Sequence, residues 1–194
     1  MSSVTLRNAA KTDVPVIARL FDMASEGVSK YIWSSLQDEY PGMELIEIGE
    51  ARYGRENTDF CYQNCIMAED ESGDILGMVH CYVMQGDGSV DEDFDPVLRP
   101  YAEMEEQGSL YITSFCVFPK HRNRGIGGRL MEAVLDRARE KGCPSLSLIA
   151  FEANAAGIRL YKRLGFVETM RRAIVAHPMI EPEGDALLFV KKLT

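Results

Sequence analysis

The sequence predicts an α/β (α+β) chain: one mixed, mostly antiparallel sheet containing one parallel strand pair, with helices on both faces. Three observations carry that prediction. Residues 109–151 read as strand, turn, helix, strand, and a helix crossover between two strands makes them parallel and right-handed. Residues 64–84 read as two strands joined by the polar, glycine-containing turn Asp70–Asp74, an antiparallel hairpin. Two further strands at the C-terminal end, 166–176 and 186–193, flank the turn-rich 177–185 and form a closing antiparallel pair.

Composition bounds the answer. The 194 residues suit one domain, 1–194, with an acidic insertion at about 85–108, and are ample for a core. Hydrophobic content of 46% and charged content of 26% are those of an ordinary globular protein. There is no apolar leader and no run of membrane-spanning length, so no membrane partner is expected. The five cysteines Cys61, Cys65, Cys81, Cys116 and Cys143 are odd in number and scattered through apolar runs. They read as buried free thiols in a reducing, cytoplasmic compartment, without a zinc spacing, and no metal is expected. A formal charge of −9 argues against nucleic acid as a partner; it suits a cationic amine and equally serves solubility.

The elements follow in order. Residues 4–7 (Val-Thr-Leu-Arg) alternate as an opening strand. Thr12 or Asp13 then caps a helix with Pro15 in its first turn and Val16, Ile17, Leu20, Phe21 and Ala24 on one face, broken at Gly27. A second helical pattern runs from Val28 to about Gln37, and 43–54 reads as a third, shorter one. The 64–84 hairpin holds His80 in its second strand. From Gln85 to Gly108 the periodicity dissolves: eight carboxylates (Asp87, Asp91, Glu92, Asp93, Asp95, Glu103, Glu105, Glu106) face a single Arg99, with a helical turn expected over 100–106. Tyr111 to Phe118 is an apolar, aromatic strand stopped at Pro119. Gly125 to Lys141 is an amphipathic helix carrying Leu130, Met131, Val134, Leu135 and Ala138, closed by Gly142 and Pro144. Ser145–Phe151 is the next strand, and Asn154 caps a helix that ends at Gly165.

The turn after Pro119 has the chemistry of anion binding. The first amides of a helix lack intrahelical partners and carry the positive end of its dipole. Gly125, Gly127 and Gly128 bring no Cβ to keep an anion away, and Arg122, Arg124 and Arg129 add full charge. A diphosphate fits there. A Walker A loop is excluded because no Gly-Lys-Ser/Thr follows, and a dinucleotide fingerprint fails at Leu130, where its third glycine belongs.

Arg122-x-x-Gly125-x-Gly127, following Val117-Phe118-Pro119, resembles motif A of the GNAT superfamily of N-acetyltransferases. Asn154-x-x-Gly157-x-x-Leu160-Tyr161-x-x-x-Gly165-Phe166 looks like motif B of the same superfamily, in the right order, with Gly157 where many members have alanine. The resemblance implies a GNAT fold, whose central parallel strands splay apart, and acetyl-CoA as co-substrate. It implies that Phe115, Cys116 and Val117 pair with the pantetheine arm through their backbone, and that Arg122, Asn123, Arg124, Gly125, Ile126, Gly127, Gly128 and Arg129 hold the diphosphate. Asn154 is expected to contact the pantetheine and Tyr161 to act as the general acid that protonates the departing thiolate. Val117 N–H is expected to polarise the thioester carbonyl.

The implied reaction is direct attack of a primary amine, on a small molecule or a protein, upon the thioester. The strand glutamate that histone-type members carry six residues before the valine is replaced here by Tyr111, a poor base. Glu106, Glu152 and His80, acting through water, remain open as substitutes, as does an amine arriving neutral. The resemblance makes Tyr31, Trp33 and Tyr40 candidates for acceptor contact, while their residue types favour packing of helices onto the core. A silent acyl-CoA sensor of the same fold, and an acyltransferase with another acyl donor or a hydroxyl acceptor, remain as alternatives; strand and helix edges are compatible with a homodimer.

Overall fold

The computed structural model describes residues 4–193; positions 1–3 and 194 of the expected 1–194 domain lie outside the described residues. Seven strands, β1 (Thr5–Asn8), β2 (Cys65–Glu69), β3 (Ile75–Val83), β4 (Leu110–Val117), β5 (Ser145–Phe151), β6 (Val167–Ala173) and β7 (Asp185–Lys192), form one sheet in the order β1-β2-β3-β4-β5-β7-β6. The pairs β1–β2, β2–β3, β5–β7 and β7–β6 are antiparallel, and β4–β5 is parallel. The mixed sheet with its central parallel pair is the one the sequence predicts. The β4–β5 register joins Leu110–Ile112 to Leu146–Leu148, whereas β4 runs on to Val117 and β5 to Phe151.

The chain divides into two compact units, Met1–Cys81 with Ser114–Val134, and Tyr82–Thr113 with Leu135–Thr194. In the first, helices α1 (Val14–Ser25), α2 (Val28–Ser34) and α3 (Leu45–Tyr53) lay their apolar stripes on β2 and β3. Ile17, Leu20, Phe21, Trp33, Ile48, Tyr53, Met67, Met78 and Cys116 make that core. Trp33 lies so close over α3 that a Cβ on Gly49 would stand 2.7 Å from its ring. Of the three aromatic candidates for acceptor contact, Trp33 is therefore a core residue at 1% exposure.

Two local expectations are corrected here. Neither Thr12 nor Asp13 caps α1 through its side chain. The Asp13 carboxylate instead turns back to accept the Ala10 N–H at 2.7 Å and two bonds from Arg7, at 2.7 and 3.0 Å. Helix α2 ends at Ser34 rather than near Gln37, because the next residues continue as turns: Leu36 N–H bonds Trp33 O and Gln37 N–H bonds Ser34 O, three residues back.

In the second unit the β5–β7–β6 sheet carries α6 (Ala155–Arg163), and a smaller core gathers Met104, Ala186, Leu188 and Val190 with Tyr101, Ile149 and Ile174. Strand β6 is shorter than the predicted 166–176. Phe166 N–H is spent closing α6 on Tyr161 O at 3.0 Å, and the β6–β7 register ends at Ala173–Asp185, beyond which Ile174 N–H still reaches Gly184 O at 2.9 Å. The 85–108 excursion holds the expected helical turn: α4 (Arg99–Ala102) starts one residue early, and bonds from Met104 N–H to Tyr101 O and Glu105 N–H to Ala102 O carry the turn on. The amphipathic helix α5 (Ile126–Glu140) buries Ile126, Leu130, Met131, Val134 and Ala138.

Candidate functional site

The sequence-predicted anion site is built by the end of β4. Along this strand buried and half-buried residues alternate, with Ser114 and Cys116 buried and Phe115 and Val117 half-buried. Phe118 donates its N–H to Leu76 O of β3 at 3.0 Å. Because successive residues of a strand point their amides to opposite sides, the Val117 N–H faces away from β3. The close approach of β3 and β4 depends on Gly77, where a Cβ would stand 2.5 Å from Cys116 O.

Beyond β4, Pro119–His121 makes a single 3-10 turn and the chain reverses through two left-handed residues, Asn123 (φ +60°) and Gly125 (φ +77°). Asparagine is among the few side chains that tolerate that conformation, and glycine adopts it without strain. The Arg122 backbone N–H bonds Pro119 O at 3.3 Å and its Nε bonds Val117 O at 3.0 Å, so this arginine braces the turn. Arg124 lies 3.2 Å from His121 Nδ1, and Arg129 donates to the Val4 carbonyl. The α5 ladder begins with Arg129 N–H to Gly125 O at 3.2 Å. The amides of Ile126, Gly127 and Gly128 precede it and have no intrahelical acceptor.

A Cβ on Gly125 or Gly128 would meet nothing within 4 Å, whereas one on Gly127 would lie 3.3 Å from the Phe115 ring. Gly127 thus seats the helix on β4, while Gly125 and Gly128 present open backbone. Outward amides, a helix dipole, three arginines and an unobstructed surface together fit the diphosphate of a coenzyme. The Cys116 thiol is pushed up by burial, against an opposing pull from Arg122, and stays protonated. It is a poor nucleophile, which disfavours an acyl-cysteine intermediate.

The second predicted group lies in the other unit. Asn154 caps α6 as expected: its Oδ1 accepts Gly157 N–H at 2.9 Å, and its carbonyl accepts Ile158 N–H at 3.0 Å. Gly165, at φ +85°, closes the helix. Tyr161 is 8% exposed, its ring centroid 6.1 Å from both Phe166 and Phe189. Packing therefore holds the phenol in a fixed orientation.

The residues open as general base are all engaged. Glu106 bonds Lys192 at 2.7 Å, Glu152 lies 3.3 Å from Arg171, and His80 is fully buried against the rings of Phe60 and Phe21. Tyr111 meets Tyr82 edge-on, centroids 5.8 Å apart, and burial raises its phenol far above the ordinary value. Tyr82 and Glu105 add to that rise. Ser114 Oγ, shut off from solvent, makes no hydrogen bond among the described residues.

Among the described residues no group of three or more His, Cys, Asp or Glu is placed to hold a metal ion, and no helix is long and apolar enough to cross a membrane. All five cysteines are buried and free.

Comparison with known proteins agrees with this reading. The model of the Acetyltransferase (GNAT) family matches residues 29–166. An L-methionine sulfoximine/L-methionine sulfone acetyltransferase of Pseudomonas paraeruginosa is 26% identical over 164 residues, covering 84% of this chain and 80% of that protein. The [Ribosomal protein bS18]-alanine N-acetyltransferase of Escherichia coli is 34% identical over 78 residues, 40% of this chain and 51% of its own. An N-acetyltransferase structure from Staphylococcus aureus Mu50 superposes with a TM-score of 0.66 at 19% identity, over 96% of this chain and all (100%) of that one, a likeness of fold.

Proposed function

The chain belongs to the acetyltransferase (GNAT) family, acetyl-CoA-dependent N-acetyltransferases, and we propose that it acetylates the primary amine of a small polar molecule by direct attack on the thioester. The observation that carries the proposal is the β4–α5 junction, where open backbone at Gly125 and Gly128 meets a helix N-terminus and three arginines. A relative that matches 84% of this chain is named for the small molecules L-methionine sulfoximine and L-methionine sulfone, which favours a small amine over a protein amino group.

Acetyl-CoA, when bound, supplies the thioester carbonyl and a thiolate leaving group. The backbone from Asn123 to Gly128 holds the diphosphate, and Arg122, Arg124 and Arg129 neutralise it. Phe115, Cys116 and Val117 lend backbone groups to the pantetheine in the manner of an added strand, and Asn154 contacts that arm. Val117 N–H, directed away from β3, donates to the carbonyl oxygen as negative charge develops there. Tyr161 gives its phenolic proton to the thiolate; a phenol of ordinary pKa about 10 still holds that proton at neutral pH. A protonated Cys116 supports direct transfer. Five buried thiols suit a reducing cytoplasm.

The test is calorimetric and kinetic. Wild-type protein is expected to bind acetyl-CoA. Gly128→Ala, whose new methyl points into open space, is expected to weaken binding at least about tenfold while stabilising α5 by up to about 1 kcal/mol. Tyr161→Phe should bind normally and lose on the order of 100-fold in thiol release. Folded protein that takes up neither coenzyme A nor its acyl esters would end the proposal. Uptake without turnover on any amine would make the chain a sensor of acyl-CoA.

A further inference from the structure

The three arginines of the β4–α5 junction are each tied by a side-chain bond, and the ties differ in chemistry. Arg122 Nε donates to Val117 O at 3.0 Å and Arg129 donates to Val4 O, both backbone carbonyls that accept at any pH. Arg124 Nη1 lies 3.2 Å from His121 Nδ1 instead. A guanidinium has only N–H donors and keeps its charge in a protein, so the imidazole nitrogen is the acceptor. Nδ1 accepts only while it carries no proton, which makes His121 in this contact the neutral tautomer with its hydrogen on Nε2. Among the described residues, Arg124 is thus the one arginine of the three that is held by a group able to titrate.

The turn that carries this pair is well fixed. His121 N–H bonds Phe118 O at 2.8 Å, and Arg124 stands between the two left-handed residues Asn123 and Gly125. The imidazole is half-buried, while Arg124 is exposed beside the open backbone of Gly125. The charged neighbours of His121 are Lys120, Arg122 and Arg124 on its own turn and Asp70 on the turn between β2 and β3. Ser72 holds the Asp70 carboxyl below its ordinary 3.8, with burial opposing, the Asp74 and Ser72 amides assisting and His121 adding least, so Asp70 stays charged near neutrality. A proton on His121 therefore joins a cluster of cations faced by a single carboxylate, a cost that a bound anion relieves.

We propose that His121 is a positioning residue for the coenzyme that works through its proton: neutral, it holds Arg124 back; protonated, it releases Arg124 to the diphosphate and adds a charge of its own. This rests on the coenzyme-binding reading above. The proton comes from solvent and takes the Nδ1 lone pair that the Arg124 N–H had used, and no covalent bond of the coenzyme changes. Because the diphosphate favours the protonated imidazole, binding takes up a proton. By linkage, affinity rises as the pH falls through the range in which imidazoles titrate.

The experiment is calorimetric titration of the full chain with the acetyl ester of dephospho-coenzyme A at low salt, from about pH 5.5 to about pH 8.5, in buffers whose different ionisation heats count the protons taken up. This probe keeps the diphosphate, charged throughout that range, and lacks the phosphate monoester, which titrates within it. Wild type should bind about threefold to fivefold more tightly at the acid end and take up a fraction of a proton near neutrality. His121→Asn, which offers Arg124 an acceptor and cannot be charged, should lose both the gain and the uptake. Arg124→Gln should weaken binding more at about pH 5.5, where the guanidinium is released, than at about pH 8.5, where His121 holds it. Three results each overturn this inference alone and leave coenzyme binding standing: a wild-type affinity that does not rise toward acid, a His121→Asn slope equal to wild type, or an Arg124→Gln cost that does not grow toward acid. Folded wild type that takes up neither this probe nor acetyl-CoA at any pH overturns the coenzyme reading and this inference together.

Discussion

A missing methyl group at Gly157 keeps the α6 cap in place. The spacing Asn154-x-x-Gly157 is legible in the sequence, and so is the cap; the need for glycine is not, because propensity alone says that it weakens the helix. In the folded chain a Cβ at 157 would stand 2.7 Å from Asn154 Nδ2, inside the carboxamide that accepts the Gly157 N–H. Asn154→Ala is expected to cost about 1 kcal/mol. Gly157→Ala should fail to gain the roughly 1 kcal/mol that helix propensity promises, because it displaces the cap. In the Asn154→Ala background the same change should regain it. Urea unfolding of the four proteins closes this cycle, and additive effects would show that the cap and the glycine are independent. Trp33 teaches the same lesson: its residue type allowed substrate contact or packing, and only the position of Gly49 beneath its ring decides for packing.

At the scale of elements, the joint between β1, β2 and α1 is electrostatic. Arg7 on β1 reaches Glu69 of β2 at 2.6 Å and Asp13, just ahead of α1, at 2.7 Å. The sequence offers Thr12 or Asp13 as a helix cap, a local role; the partner that Asp13 finds, Arg7, is itself held by Glu69, 62 residues from Arg7 on the paired strand. The Arg7 bond, with the Ala10 N–H assisting and burial opposing, holds the Asp13 carboxyl below its ordinary 3.8. A carboxyl depressed in the folded state stabilises above its unfolded value, and that stability is lost as the pH falls through the folded value. Wild type should therefore weaken as the pH drops below about 4, and Asp13→Asn should be flatter across that window. At neutral pH the variant should be less stable by about 1 kcal/mol, a low figure because the Arg7 side chain remains 34% exposed to screening solvent. Equal acid dependence in both proteins would show that Arg7 exerts no such hold.

Across the whole molecule, charge is distributed far less evenly than composition suggests. Seven of the nine net negative charges come from the 85–108 excursion, while the turn and helix start at 120–129 carry Lys120, Arg122, Arg124 and Arg129. The parallel pair, the hairpin and both motifs were legible because each is written in a local run of residues. Which carboxylates of the excursion are held was not, because Glu103 and Glu106 find their partners, Arg172 and Lys192, 69 and 86 residues further on. The surplus charge has a consequence of its own. If the acidic excursion draws a cationic amine by long-range attraction, the benefit decays with the Debye length, from about 30 Å at 0.01 M salt to about 3 Å at 1 M. The kcat/KM of a protonated acceptor should then fall several-fold, about three to ten, across that range, while kcat stays nearly constant, because screening weakens encounter and leaves the bound geometry intact. An acceptor uncharged at the assay pH should show no such slope. Replacing Asp91, Glu92 and Asp93 by their amides removes three exposed charges and should flatten the response for the cation alone. A salt dependence shared equally by charged and neutral acceptors would assign it to the arginines at 122–129 and the diphosphate instead, and would return the acidic excursion to the simpler task of keeping the protein in solution.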